Sequence, residues 1–317
     1  MAPTSSEPHD EPYHIPMKHS IPILLTVLAT FTGTARAKLS VVTTLADYAA
    51  LAREIGGDHV DITSMAKPTE DPHFVDARPS FVVKLRSADI LIEGGAELEV
   101  GWLPPLLQTA RNPKLEAGAV GRVQAAEGIR LLDVPATLSR AAGDVHASGN
   151  PHFMVDPIIA KAVAAHIARA FAAADPANAA SYATNEKKFE ATIDAKLQDW
   201  GRALLPFRGQ HLAAYHDDWL YFARRFGFDV DVFLEPKPGV PPSPSHLAEV
   251  IGKIKAEKIK AIIVEPYHNR KIAEKVASST GAHVVEAAQY PDGLPNTATY
   301  VELIDVLVTR LTTALKN

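Results

Sequence analysis

The chain contains no cysteine. That excludes disulfides, thiolate metal sites, a cysteine nucleophile and a lipid-modified cysteine at a processed N-terminus. Basic residues are in slight deficit, 32 Lys+Arg against 37 Asp+Glu for a net charge of −5, and no basic block stands anywhere, so no nucleic-acid partner is expected. No H-E-x-x-H motif occurs. Beyond Ala37 no uncharged stretch reaches the roughly 20 residues that cross a bilayer. What the chain does have is an ordinary apolar fraction, 47%, and a length of 317 residues. At roughly 150 residues per domain that length allows about two domains with cores of their own.

The start reads as an export signal. Ile21 to Gly33 is uncharged and mostly apolar, Lys18 precedes it, and Ala35-Arg36-Ala37 supplies a small-residue cleavage site. Thirteen residues are too few for a membrane anchor. Residues 1–37 are therefore expected to be a signal peptide, leaving a soluble periplasmic product. Glu7, Asp10 and Glu11 make residues 1–16 acidic where a basic flank belongs, which points to Met17 as the true start.

Thereafter strand-like and helix-like segments alternate. Ser40–Thr43, Val60–Ile62, Ile90–Glu93 and Ile129–Val134 read as strands of a first half; Leu212–Tyr215, Asp229–Phe233, Ala261–Val264 and Val284–Val285 read as strands of a second. Helical spacing lies between them, which implies βαβ units and mainly parallel sheets. Between the halves, Asp175-Pro176 is a helix start, and Tyr182, Phe189, Ile193, Leu197, Trp200 and Leu204 form one stripe before Pro206. The expected architecture is α/β: a lobe over 38–175, a rigid linking helix over 176–205 and a lobe over 206–317.

Two segments resemble each other, Asp71-Pro72-His73 and Asn150-Pro151-His152. Proline fixes its own φ and restricts the residue before it, so each loop aims its histidine. His216 stands where an apolar strand ends, and Asp292 lies in another strand-end loop. Loops at the carboxyl ends of parallel strands are where such folds bind ligands. Three neutral imidazoles and one carboxylate, two donors from each half, suit a four-coordinate cation such as Zn²⁺. Glu265 and His268 sit at a further strand end; with Glu70 and Asp217 they are either groups that orient a ligand imidazole or simple turn residues.

Several ordered features together resemble the periplasmic metal receptors of zinc/manganese ABC importers, the cluster A-I substrate-binding proteins. They are the early D-P-H with Arg78-Pro79-Ser80, the P-H-x-x-x-D-P of 151–157, the long mid-chain helix, His216-Asp217 followed by Tyr221-Phe222 and Gly227, and the late Asp292. The resemblance covers residues 38–317 and implies that His73, His152, His216 and Asp292 are the metal ligands, in a cleft between two lobes. It implies a membrane permease as partner and a protein that is no enzyme; a monomer is expected, with a periplasmic metallochaperone as a candidate donor of metal. Histidine at the third ligand position goes with zinc as the transported ion and glutamate with manganese, so Zn²⁺ is expected and Mn²⁺ is the alternative. The chain departs from the family at Met154-Val155, where Trp-Leu is common. It departs again in Ala136–Ser148, which holds His146 alone where many zinc members have a histidine-rich loop. Metal capture through a histidine cluster is accordingly not expected.

Two rivals stand beside this reading. A zinc hydrolase would leave one coordination position to a water deprotonated by Glu70 or Glu265. A two-lobed receptor for an organic anion would place Arg or Lys in the cleft loops, where this chain offers His and Asp.

Overall fold

The computed structural model describes residues 1, 3–5, 8–10, 37–136 and 146–316. Its internal contacts divide the chain after Arg36, and everything below concerns the part from Ala37 onward. The apolar run Ile21–Gly33, Lys18, Met17 and most of the loop Ala136–Ser148 lie outside the described residues.

Two four-stranded parallel sheets form the framework. The first holds β1 (Leu39–Thr43), β2 (Val60–Ser64), β3 (Ile90–Glu93) and β4 (Arg122–Gln124) in the order β2-β1-β3-β4. The second holds β5 (His211–Ala214), β6 (Asp229–Phe233), β7 (Ala261–Val264) and β8 (His283–Glu286) in the order β6-β5-β7-β8. Every residue of β3 and β7 is buried, as unbroken apolar strands covered by helices on both faces must be. In each sheet the first and third strands lie side by side, which puts a topological switch point, and hence a ligand crevice, at their carboxyl ends.

One expected strand is corrected. Ile129–Val134 is not in a strand, and the fourth strand of the first sheet is Arg122–Gln124. The backbone of the expected strand is satisfied elsewhere: Leu132 N donates to Tyr221 Oη at 2.9 Å, and Leu132 O accepts from Asn150 N at 2.8 Å. β4 escapes a periodicity reading because Val123 is its only apolar residue. What marks it is an ion pair, Arg122 Nε to Glu93 Oε1 at 2.8 Å.

The helices are α1 (Ala46–Gly56), α2 (Pro79–Ser87), α3 (Leu103–Ala110), α4 (Pro157–Ala174), α5 (Ala179–Leu204), α6 (Leu220–Phe226), α7 (Pro244–Glu257), α8 (Arg270–Thr280) and α9 (Tyr300–Lys316). α5 is the expected linker, 26 residues and about 39 Å long, with a 3₁₀ turn at each end. Asp175 O accepts from Asn178 N at 3.1 Å, and its carboxylate takes hydrogen bonds from Asn178 Nδ2 (2.6 Å) and Tyr182 Oη (2.9 Å). The stripe Tyr182, Phe189, Ile193, Trp200 and Leu204 is buried, each side chain contributing about 1.5–3 kcal/mol. α5 packs on α1 and α4 of the first lobe and on α9 of the second. Asn185 Nδ2 bonds Ile55 O at 3.0 Å, and Lys196 Nζ and Trp200 Nε1 reach the two oxygens of Asp305 at 2.7 and 2.8 Å. A helix fastened to both lobes along its length behaves as a strut. α4 is long and apolar enough to cross a membrane by composition alone, yet its stripe Ala160, Val163, Ala164, Ile167 and Phe171 is buried against α5 and α1. It serves as a core helix.

Two carboxyls are sunk beside the first switch point. Glu99 Oε1 accepts from Thr44 Oγ1 (2.7 Å) and Gly94 N (2.6 Å), and Asp47 Oδ1 accepts from Tyr48 N (2.8 Å). Burial pushes each up to about 7, and the charge of Glu99 adds to the rise in Asp47. Between about pH 4 and 7 the folded chain thus holds protons that the unfolded chain has released, so stability falls as pH rises through that window. For Asp47 the rise from 3.8 to about 7, at about 1.4 kcal/mol per pH unit, amounts to a few kcal/mol. Urea unfolding of metal-free Asp47→Asn at pH 5 and 7.5 should show a smaller loss between the two than the parent protein shows. An equal loss would remove Asp47 from the pH response.

Candidate metal centre

Every side chain of the centre hangs from a carboxyl end of a strand. His73 follows β2. Trp102 Nε1 donates to Pro72 O at 2.9 Å and anchors the loop. Asp71 Oδ1 takes both the backbone N–H and Nδ1–H of His73 at 2.9 Å, which leaves Nε2 bare. Burial would raise Asp71, but its bonds and charge interaction with His73 hold it below the usual range. Asp71 therefore orients His73. Glu70, left open between that role and a turn, accepts from Lys67 N at 3.1 Å and closes the loop on itself.

His152 follows β4, at the end of a loop that turns at Gly149. Gly149 has φ +112°, and a Cβ there would meet Leu132 O at 2.7 Å, so this turn requires glycine. Asn150 Oδ1 takes the His152 N–H at 2.9 Å. Asn150 Nδ2 bonds Asp217 O (2.8 Å) and Asp217 Oδ2 (3.2 Å) in the other lobe. Asp217 thus ties the two loops together rather than orienting a ring. Arg225 adds a two-pronged pair to Asp156 at 2.7 and 2.8 Å, and Tyr221 Oη donates to Asn150 O at 2.6 Å.

His216 follows β5, and its Nδ1–H donates to Glu235 Oε2 at 2.8 Å, just past β6. Burial alone would lower His216, but the carboxylates of Asp218, Glu235 and Glu265 push it up to about 10. A cation bound at this ring would displace that proton. Asp218, 1% exposed, points Oδ1 to 3.2 Å from His152 Nδ1 and 3.9 Å from His216 Nε2. That oxygen has no hydrogen bond.

Ring centroids of His73, His152 and His216 are 5.2, 5.6 and 5.4 Å apart pairwise. Donor atoms within 4.8 Å of one another form the trios His73, His146, His152; His152, His216, Asp218; and Asp218, Glu265, His268. Adjacent trios share His152 and then Asp218. In the innermost, Glu265 Oε1 accepts from Trp219 Nε1, and His268 stacks on Tyr215 at 4.3 Å. Glu265 Oε2 and His268 Nε2 are buried without a hydrogen bond, 3.6 Å from each other. Burial, with the Asp218 charge adding, drives Glu265 far above the ordinary glutamate range. A further trio, His211, Asp231 and Glu257, is exposed, and Lys253 Nζ lies 2.9 Å from Asp231; a cation is already there.

The expected fourth ligand stands apart from the histidines. Asp292 is exposed at φ +63°, and among the described residues it belongs to none of these groups. Its own N–H donates to Thr297 O at 2.7 Å. That tight turn, forced by the short span to α9, faces the side chain to solvent. The buried carboxylate is Asp218. Asp218, Glu235, Asp71 and His146 were all missed by sequence spacing. Asp71 and Asp218 each lie two positions from an expected ligand, and Glu235 sits at a strand end; those were the available signals.

The zinc-uptake complex component A family, ZnuA, a periplasmic component, matches residues 41–314. The chain belongs to this family. A ZnuA-family relative, the high-affinity zinc uptake system protein ZnuA of Paracoccus denitrificans, is 27% identical, covering 89% of this chain and 94% of its own. The iron-binding protein YfeA of Yersinia pestis is also 27% identical, covering 86% and 84%. Among solved structures, a ZnuA crystal structure superposes with a TM-score of 0.73 at 22% identity, covering 87% and 99%. A manganese-bound periplasmic metal-binding protein from Candidatus Liberibacter asiaticus gives 0.72 at 21% identity, covering 88% and 100%. At those identities the superpositions establish the ZnuA-type fold of two α/β lobes on a long helix.

Proposed function

We propose that the chain is the exported receptor of an ABC importer: it takes a divalent transition metal, zinc in preference to manganese, into the cleft between lobes 38–175 and 206–317 and surrenders it to the membrane permease. Membership of the family supports the transport role, and relatives named for zinc and iron agree with a metal cargo. The observation that carries the reading is the buried set His152, His216 and Asp218, with His73 beside it, contributed by both lobes. Three imidazoles and one carboxylate match Zn²⁺ in number and kind, while Mn²⁺ prefers more oxygen. Holding and releasing an ion needs no bond-making step, so no enzymatic activity is assigned. Export is supported by the signal-like start, with a compact unit that begins at Ala37.

Titration of the metal-free mature chain with Zn²⁺ and Mn²⁺ tests this. One tight equivalent of Zn²⁺, weaker Mn²⁺ binding, and loss of the tight equivalent in His152→Ala and His216→Ala are expected. Absence of a tight equivalent, or metal-dependent turnover of ester, amide or phosphate substrates, would overturn the assignment.

A further inference from the structure

We propose that His146 is a direct ligand of the bound zinc-class cation, completing with His73 and His152 a three-imidazole outer face to the centre. The inference rests on the metal-receptor reading above and adds a donor to it.

The geometry is that of a coordinating pair. His73 Nε2 and His146 Nε2 stand 3.2 Å apart. Two nitrogens bound tetrahedrally to one ion at about 2.0–2.1 Å lie about 3.3–3.4 Å from each other. His73 Nδ1 is committed to Asp71, so its Nε2 lone pair faces the shared point. The three donor atoms of His73, His146 and His152 fall within 4.8 Å of one another, and the His146 ring is 5.2 Å from that of His73 and 6.4 Å from that of His152.

His146 is also held in place. The next residue, Ala147, donates its N–H to Glu97 Oε2, and Gly149 N donates to His146 O at 3.2 Å. An imidazole fastened through the backbone on its C-terminal side costs little to order when a cation arrives. Depth gives the arrangement a direction: His146 is half-buried, whereas His152 and His216 are 6% and 8% exposed. The outer face thus lies where solvent still reaches, and His152 is common to it and to the set with His216 and Asp218.

The test uses the full mature chain. Zn²⁺ affinity is measured by chelator competition, and the ligand field by the visible spectrum of the Co²⁺ form, for His146→Ala, His146→Gln and Asp292→Asn. Both His146 variants should lose at least about tenfold in affinity, 1.4 kcal/mol, and shift the Co²⁺ bands, with metal-free melting unchanged; Asp292→Asn should leave affinity and spectrum as they are. His146 variants with unchanged spectrum and affinity would overturn the proposal and leave the 3.2 Å contact as a plain histidine–histidine hydrogen bond. A parent protein that binds neither ion would instead fail the receptor reading.

Discussion

Replacing Asp218 by asparagine should weaken Zn²⁺ binding by more than about 100-fold. That is beyond the roughly 10–100-fold typical of a group that only orients a metal-bound imidazole. Asparagine keeps the size of the side chain, so the change is one of charge and donor strength. The oxygen at stake is buried, lacks a hydrogen bond, and lies 3.2 Å from the His152 imidazole and 3.9 Å from that of His216. A buried carboxylate left unpaired is costly, and the cation is the partner that satisfies it. It also offsets the protonated His216 before the ion arrives. Chelator competition separates the outcomes: a loss above about 100-fold makes Asp218 a ligand, a loss of about 10–100-fold makes it an orienting group, and an affinity within about tenfold removes it from the site.

The second large effect concerns the floor of the centre. Trp219 is wholly buried, edge-on to Phe222 at a ring distance of 6.4 Å, with its N–H on Glu265. Trp219→Ala should cost about 3–5 kcal/mol. At about 2–4 °C per kcal/mol, the metal-free melting temperature should fall by roughly 6–20 °C. Trp219→Phe keeps most of the packing and removes only the donor, leaving Glu265 Oε1 without its bond; about 1–3 kcal/mol is expected. Calorimetry of the metal-free forms orders the three proteins. If the phenylalanine form melted as low as the alanine form, the hydrogen bond rather than the ring would be what holds the floor. Added Zn²⁺ should raise all melting temperatures through preferential binding to the folded state.

Ile90–Glu93 and Ala261–Val264 were legible because burial on both faces favours apolar runs, and Asp229–Phe233 because buried valines alternate with exposed aspartates; all three agree with the residue pattern to the residue. β4 was not, since an edge strand of Arg-Val-Gln has one apolar residue and owes its place to Glu93. The three proline- or strand-borne histidines were found because local backbone chemistry aims them, and the structure brings their rings together. Asp292 stands apart from the three rings because a turn's direction is decided by what its backbone bonds to, and the Asp292–Thr297 bond is invisible in spacing. Asp218 was passed over as the second of two adjacent aspartates; which of the pair faces inward is settled only by the α6 turn that follows. His146 had no local signal, because its partner, His73, lies 73 residues away.

The apolar packing has one last consequence. A single contiguous cluster runs from Leu39 and Tyr48 through Tyr182 and Trp200 to Leu212, Tyr300 and Leu311. Neither half, produced alone after a cut within α5, would cover its share of that cluster. The fragments should be soluble only together.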